Sequence, residues 1–406
     1  MHILVLDTIH GGTVIGEAFA SAGHTVDCVD VYRNTTPVAA QNAVKRTYDL
    51  VVAPVHLDPD HPLLRQACAP VITHHEAVRQ LLDRDIPVPM IEITGTRGKT
   101  TTAHALAHLM IGPGVLHTST GTYEYPERNL LWKKSITPAS VLAAAWYARL
   151  MNGWLIAEES LGVTGAGCCA IITSPEDYRC AAGKRSALAH KIQSAQKSPH
   201  LLLAPGIPVD VRAGVIHLED VASCTGQECR ITYGGAEHRF SNPLLELTAY
   251  KTPLALAATT AVLLGIPPTR LETFRALDGR LHVQHEAGLV IVDNANSGTN
   301  ATTTIEAARY ARACAGMQAL TLVIGTVEGD GAVCEGFPPD QISHAIHSVQ
   351  PEQVIWVGKN SRHANSSIGY NVWDTGLICT TLAHARQCAI DRTKKGSIVL
   401  AVKTWR

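Results

Sequence analysis

The stretch Ile91-Glu92-Ile93-Thr94-Gly95-Thr96-Arg97-Gly98-Lys99-Thr100-Thr101-Thr102 restricts the possible folds more than any other part of this chain. An apolar, strand-forming run turns through Gly95 and Gly98 into a run of helical character, which is the sequence form of a strand–loop–helix phosphate cradle. Glycines at those two places let backbone N–H groups converge on an anion, and a helix opening near Lys99 adds the positive end of its dipole. Lys99 supplies a point charge for the β- and γ-phosphates, and the Thr100 hydroxyl an oxygen for Mg2+. Thr94, Thr96, Arg97 and Thr101 complete the nucleotide-facing set. The general spacing G-x-x-x-x-G-K-[ST] asks for a glycine at position 93, where Ile93 stands, so the loop is a shortened form. ATP and Mg2+ are the cofactors this stretch predicts.

At 406 residues the chain is too long for one ordinary core and predicts two to three domains. A formal net charge of -1 with 17% charged residues argues against nucleic acid or an anionic membrane surface as partner, leaving a small molecule. Met1-His2-Ile3-Leu4-Val5 opens directly on a strand pattern without a signal-peptide form, and no apolar run reaches the length of about 20 residues that spans a bilayer. A cytoplasmic protein, monomeric or homodimeric, is expected. The eleven cysteines are scattered without a C-x-x-C pair, the pattern of reduced thiols. Cys168-Cys169 reads as core. Cys224 and Cys229 have a spacing that suits a metal but lack a second pair to complete a tetrahedral site.

Residues 1–88 alternate strand and helix patterns, as a Rossmann-like α/β unit does. Strands are predicted over 2–6, 25–31 and 50–53, and a helix over 14–22. The first turn, Asp7-Thr8-Ile9-His10-Gly11-Gly12, is rich in donors at the carboxyl end of a strand, where open α/β sheets bind ligands. Asp7, Thr8, His10, Gly11 and Gly12 are candidate substrate contacts, against a turn that serves connectivity alone. Asp30 closes the second strand as in a dinucleotide site, without the G-x-G-x-x-G that such a site needs. Asp85-Ile86-Pro87-Val88-Pro89 is a stiff linker. Beyond it the pattern predicts a helix over 101–110, a strand over 115–122, a helix over 139–151 capped near Thr137, and a buried strand over 154–157. That strand ends in Glu158-Glu159-Ser160, which places carboxylates where a hard cation beside the loop needs oxygen ligands. A strand follows at 168–174. The short runs from 201 to 240 suggest a small antiparallel sheet, and 249–264 an apolar helix stopped by Gly265. Strands at 289–292, 320–325, 354–358 and 397–403 build a last α/β domain, with Glu328-Gly329-Asp330-Gly331 as a cleft loop.

T-G-T-x-G-K-T-T-T at 94–102 resembles the nucleotide loop of the Mur ligase family, ATP-dependent ligases that activate a carboxylate as an acyl phosphate. The resemblance implies an α/β, three-domain Mur ligase-like architecture: a Rossmann-like substrate domain at 1–88, a central P-loop ATPase domain at 89–281 and a Rossmann-like C-terminal domain at 282–406. It implies that Thr120 and Thr137 border the cleft, and that Glu158 holds Mg2+ with Glu159 as next choice. Lys191 stands about where many relatives carry a carbamylated lysine, the alternative being an exposed helix lysine. Asp278-Gly279-Arg280-Leu281 is similar to the family's G-R-[ML], which makes Arg280 the cation for charge developing in phosphoryl transfer. Asp293-Asn294-Ala295-Asn296 is similar to a D-x-N-A-N-P variant, with Asp293 and Asn296 on ribose and base. Ser174 and Tyr178 replace the family's Asn and His, and Lys251 and Leu254 replace an N-x-x-N.

An amino-acid pocket motif such as D-N-P-R is absent from the C-terminal part. The opening Val5-Leu6-Asp7-Thr8-Ile9-His10-Gly11-Gly12 resembles the archaeal coenzyme F430 synthetase branch of the family. That resemblance implies a nickel tetrapyrrole substrate with a free propionate, activated by ATP and closed into a carbocycle by a carbon of the same molecule. His10, His56, His61, His74 and His75 are the histidines that would meet a carboxylated macrocycle, and no protein metal beyond Mg2+ is expected. An amide-forming ligase of the Mur or folylpolyglutamate kind is the alternative, and a nucleotide-binding regulator without turnover the remaining one.

Overall fold

The computed structural model describes residues 1–33, 40–83, 85–316, 319–327, 337–358 and 377–404; the expected cleft loop at Glu328–Gly331 lies outside them. The chain forms two compact units, Met1–Phe274 and Arg275–Arg406. Among the described residues, no helix is long and apolar enough to cross a membrane.

The first unit begins with β1 (His2–Leu6), α1 (Thr13–Ser21), β2 (Thr25–Val29), β3 (Leu50–Ala53), β4 (Val71–Thr73) and α2 (His74–Leu82). The four strands pair in parallel in the order β2-β1-β3-β4. β4 and α2 come in addition to the expected elements, and α2 carries a start signal: the Thr73 hydroxyl accepts from Glu76 N while the Glu76 carboxylate accepts from Thr73 N. This reciprocal cap satisfies two N–H groups that the first turn of a helix leaves open.

Next come β5 (Met90–Thr94), α3 (Lys99–Leu109), β6 (Gly114–Thr118), β7 (Gly121–Tyr125), β8 (Asn129–Trp132), α4 (Pro138–Leu150), β9 (Trp154–Glu158), β10 (Cys169–Ile172), α5 (Ala187–Ala195), β11 (His200–Leu203) and β12 (Val215–His217). Their strands make one sheet in the order β12-β11-β10-β5-β9-β6-β7-β8. It is parallel from β12 to β6, and β7 and β8 turn back antiparallel. Two expectations are corrected here. The run 115–122 is two strands, because Thr118 pairs with Gly121 across a two-residue turn. The segment 201–217 extends the parallel sheet, so the small antiparallel sheet holds only β13 (Ala222–Thr225), β14 (Glu228–Tyr233) and β15 (Ala236–Ser241). Cys224 and Cys229 face each other across β13 and β14 as a disulfide; they are neither reduced thiols nor metal ligands.

β5 is buried at all five positions, and each fully buried Ile or Met side chain contributes about 1.5–3 kcal/mol. α3 lies against α6 (Thr248–Leu263), and α2 against α4. Ile3 and Val5 of β1, Phe19 of α1 and Val52 of β3 share one core with Ala77, Val78, Val141, Ala144 and Leu155. The first eighty-odd residues are therefore welded to the central sheet through α2 and α4.

In the second unit, β16 (His282–Glu286), β17 (Leu289–Asp293), α7 (Ala301–Ala315), β18 (Leu320–Thr326), α8 (Pro339–Val349), β19 (Gln353–Val357), β20 (Ile378–Cys379), α9 (Leu382–Arg392) and β21 (Ser397–Lys403) form a sheet of order β16-β17-β21-β18-β19-β20. Only the β16–β17 pair is antiparallel.

Candidate active site

β5 runs between β10 and β9, so the loop that follows Thr94 leaves from the middle of the sheet at its carboxyl edge. Gly95 has φ +146 and Gly98 φ +82, conformations that side chains with a Cβ rarely adopt. A Cβ on Gly95 would also lie 2.1 Å from the Thr173 Oγ1. The Thr173 hydroxyl contacts the carbonyl oxygens of Thr94 and Arg97 at 3.2 and 2.5 Å. Ser174 Oγ accepts from Thr96 N and Arg97 N at 3.0 and 3.2 Å. Lys99 opens α3, and its Nζ curls back to donate to Gly95 O at 3.1 Å. Arg97 turns outward to Glu176, 2.5 Å away, and Thr101 is buried in the first turn of α3. The Thr94 hydroxyl is buried in the loop floor without a partner among the described residues.

Glu158, at the end of β9, faces this loop. Its Oε2 accepts from Thr100 Oγ1 at 2.8 Å and from Ser119 N at 3.1 Å, and its Oε1 stands 3.8 Å from Lys99 Nζ. The Ser119 hydroxyl is 3.2 Å from Thr100 Oγ1. Two hydroxyls and a carboxylate make a donor set of oxygen alone, which fits a hard cation such as Mg2+. Glu159 is placed elsewhere. Fully buried, it lies beside Glu92, and burial together with that neighbour pushes its carboxyl well above the usual carboxylate range. A protonated group facing the core is a poor metal ligand, so Glu158 and Thr100 are the pair that fits the cation. Glu158→Gln is expected to raise the Mg2+ concentration needed for half-maximal ADP release at least about tenfold; an unchanged Mg2+ titration would count against this placement.

Lys191 is not the exposed helix lysine of the alternative reading. It is 1% exposed, donates to Thr96 Oγ1 at 3.0 Å and lies 4.9 Å from the ring centre of Tyr178. Burial, then the Lys99 charge, pull its amine down to about 8. An amine in that range is partly neutral near pH 7 to 8, the form that reacts with CO2.

The first turn is built around a buried carboxylate. Asp7 has φ +70 and is fully buried. Its Oδ1 accepts from Ile9 N and His10 N, and its Oδ2 lies 2.6 Å from His10 Nδ1 and 3.2 Å from His56 Nε2. Burial alone would raise the Asp7 carboxyl; the hydrogen bond from His10, with the His56 ring close by, outweighs it and holds the group well below the usual range. Asp7 therefore faces two imidazoles and not a substrate. Gly12 is buried with its backbone against Asp7 O, which also removes it from the contact surface. Thr8 and Gly11 stay on the turn, and Gly11 (φ +101) packs on Thr137 Oγ1 and Ala139 at the start of α4. Thr137 precedes α4, and its hydroxyl is 3.3 Å from Ser140 Oγ. Thr120 is held by Thr118 at 2.8 Å and by His104 at 3.1 Å.

Three of the five histidines expected near a macrocycle are spent on structure. His74 Nε2 meets Leu6 O at 2.9 Å and His75 Nε2 meets Ser160 O at 3.0 Å; burial pushes both rings down to about 4, so both are neutral at pH 7. His61 caps a short helix by accepting from Leu63 N. His10 and His56 remain, their rings 4.7 Å apart and edge to face.

In the second unit, Asp293 ends β17 and accepts from Ala295 N at 3.0 Å. Asn296 donates to Gly279 O at 2.6 Å and accepts from Gly298 N at 2.8 Å, which ties its loop to the residue before Arg280. Arg280 is half-buried. Sequence reasoning missed Thr173 and Ser174 as clasps of the phosphate loop, Ser119 beside Thr100, and Tyr32 stacked near His56 at 6.2 Å. The Ser174 substitution was visible as a departure, but its use was not.

A buried parallel sheet, a glycine loop ending in Lys99 and a facing glutamate are the working parts of a Mur-type ligase, and the fold agrees. A pseudomurein peptide ligase type C from Methanothermus fervidus superposes with a TM-score of 0.52 at 14% identity, covering 99% of this chain and 97% of that one. A folylpolyglutamate synthase/dihydrofolate synthase from Yersinia pestis, complexed with AMPPNP and Mn ion, gives 0.58 at 16% identity over 82% and 90%. Residues 283–404 match the family described as coenzyme F430 synthetase CfbE, C-terminal domain. The coenzyme F(430) synthetase of Methanosarcina acetivorans is 31% identical over 88% of this chain and 90% of its own length. The chain belongs to the coenzyme F430 synthetase family and is an ATP-dependent ligase.

Proposed function

We propose that this ligase activates a propionate carboxylate of a nickel tetrapyrrole, the seco-F430 acid, as an acyl phosphate, and closes the carbocyclic ring that completes coenzyme F430. The match along most of the chain to a relative of that name carries this reading. The carboxylate attacks the γ-phosphorus of ATP and ADP departs; the loop N–H groups and Lys99 hold the phosphates and offset charge on their oxygens. Thr100 and Glu158 are the residues that would hold Mg2+, which supplies Lewis-acid neutralisation of phosphate charge. A carbon of the same substrate then displaces phosphate, so no amine is consumed. Residues 1–88 receive the substrate and 89–281 the nucleotide. Tyr32 and His56, with rings 10° from parallel, support this reading because they offer flat faces to a macrocycle. The nickel enters as part of the substrate, and the reaction takes place in the cytoplasm.

The test is incubation with ATP, Mg2+ and the seco-acid, read by mass spectrometry. A product lighter than the acid by one water, formed without any amino acid, is expected. ADP release that requires an added amino acid would instead establish the amide-forming ligase.

A further inference from the structure

Ring closure through carbon makes a demand that amide formation does not. An amine brings its own lone pair, whereas a carbon nucleophile must first lose a proton to a base. We infer that His10 is the general base that takes this proton and that Asp7 is the residue that positions it. The inference rests on the ring-closing function proposed above.

Four observations carry it. Asp7 adopts φ +70, a left-handed conformation that is unfavourable for a non-glycine residue and persists only where the surroundings impose it. Its reward is a carboxylate buried under the turn, 2.6 Å from His10 Nδ1. That contact fixes the tautomer: Nδ1 carries the hydrogen given to Asp7, and the neutral ring keeps its lone pair on Nε2. The His10 side chain is 30% exposed while that of Asp7 is fully covered, so the ring is the accessible member of the pair. The hydrogen bond to Asp7 raises the proton affinity of the ring, against an opposing effect of burial. Asp7, His56, Tyr32 and Arg33 are the titratable and charged groups around the ring.

Position is the fourth observation. Gly11, next to His10, packs on Thr137 Oγ1 at the start of α4. Ile136, just before, accepts from Ser160 N at 3.0 Å and from its hydroxyl at 3.2 Å. Ser160 follows by two residues Glu158, the group that faces Lys99 and Thr100. The turn that carries the dyad is thus linked to Glu158 and the phosphate loop through Ile136, Thr137 and Ser160. Tyr32, 48% exposed, stands edge-on to His10 at 5.9 Å and gives the dyad an aromatic wall.

The step balances as follows. His10 Nε2 takes the proton of the carbon acid; the freed electron pair forms the C–C bond to the acyl carbon; the bond from that carbon to the phosphate oxygen breaks, and phosphate leaves with its electrons. The imidazolium then returns its proton to water.

The experiment separates the two half-reactions in His10→Gln. Acyl phosphate is trapped with hydroxylamine as the hydroxamate, ring closure is followed by mass, and deuterium uptake at the attacking carbon is followed in D2O with the seco-acid bound and no ATP. The expected result is hydroxamate formation close to wild type, ring closure slower by about 10²- to 10⁴-fold, and loss of the deuterium uptake that wild type catalyses. Ring closure within a few-fold of wild type overturns the inference, and so does loss of hydroxamate formation along with closure, which marks a binding role. If the wild-type protein itself forms no hydroxamate from the seco-acid, the proposed function fails, and the base with it. Asp7→Asn provides a second variant should His10→Gln not fold. Without the carboxylate the His10 proton affinity falls, so the acid limb of the ring-closure profile moves to lower pH and its plateau drops; an unmoved limb overturns the positioning role.

Discussion

Lys99→Ala is expected to lower the rate of ATP-dependent turnover by roughly 10³-fold, the scale on which charge-stabilising groups act in phosphoryl transfer. Lys99 Nζ lies 3.1 Å from Gly95 O and 3.8 Å from Glu158 Oε1, so it is aimed across the loop and away from solvent. Alanine removes the cation while leaving the glycine turn, which depends on Thr173 and Ser174. Folding is therefore expected to survive, as a thermal melt will show, and ADP release measured with the seco-acid should fall by that factor. Substantial turnover in a folded variant would mean that the nucleotide is held elsewhere.

The second large effect is on stability. Glu92 stands in the middle of the wholly buried β5, and its carboxyl group accepts from Thr164 N at 2.8 Å, Gly165 N at 3.2 Å and Gly167 N at 2.8 Å, as well as from the Thr164 hydroxyl. Glu92→Leu would strand four donors in the core. With orphaned donors costing about 1–3 kcal/mol each and some recovering water, a loss of roughly 3–5 kcal/mol is expected in denaturant unfolding. That is a large part of what a domain has to lose. Glu159→Gln should behave oppositely. In the folded chain burial and Glu92 raise the Glu159 carboxyl far above its unfolded value of 4.5. The folded state thus binds the proton more tightly, and stability declines as pH rises above the unfolded value. The amide carries no such proton, so the variant should match wild type in acid and exceed it at neutral and alkaline pH. A wild-type chain that gains stability from pH 5 to 8 relative to Glu159→Gln would contradict this account.

The phosphate loop was legible because its requirements are local. Gly95, Gly98, Lys99 and Thr100 occur in the order in which a backbone must turn and a charge must follow. The strands at 2–6 and 50–53 were legible as apolar runs between turn residues. What escaped depends on tertiary neighbours. Nothing around Glu92 announces that a loop seventy residues later will supply its donors, and the chain does not show that Asp7 will be sealed beneath His10 and His56. The run 201–217 carries too little periodicity to separate a meander from strands that join a distant parallel sheet. At 115–122 the signal was present in Ser119-Thr120-Gly121, a turn read as the end of one strand when it joins two.

Ser174 has a consequence for how the nucleotide arrives. Its hydroxyl oxygen occupies Thr96 N and Arg97 N, two of the groups proposed to engage a phosphate. An incoming anion therefore exchanges one acceptor for another and need not strip water from bare amides. The ordering of the loop has already been met during folding, so association draws less on conformational entropy than it would from a slack segment.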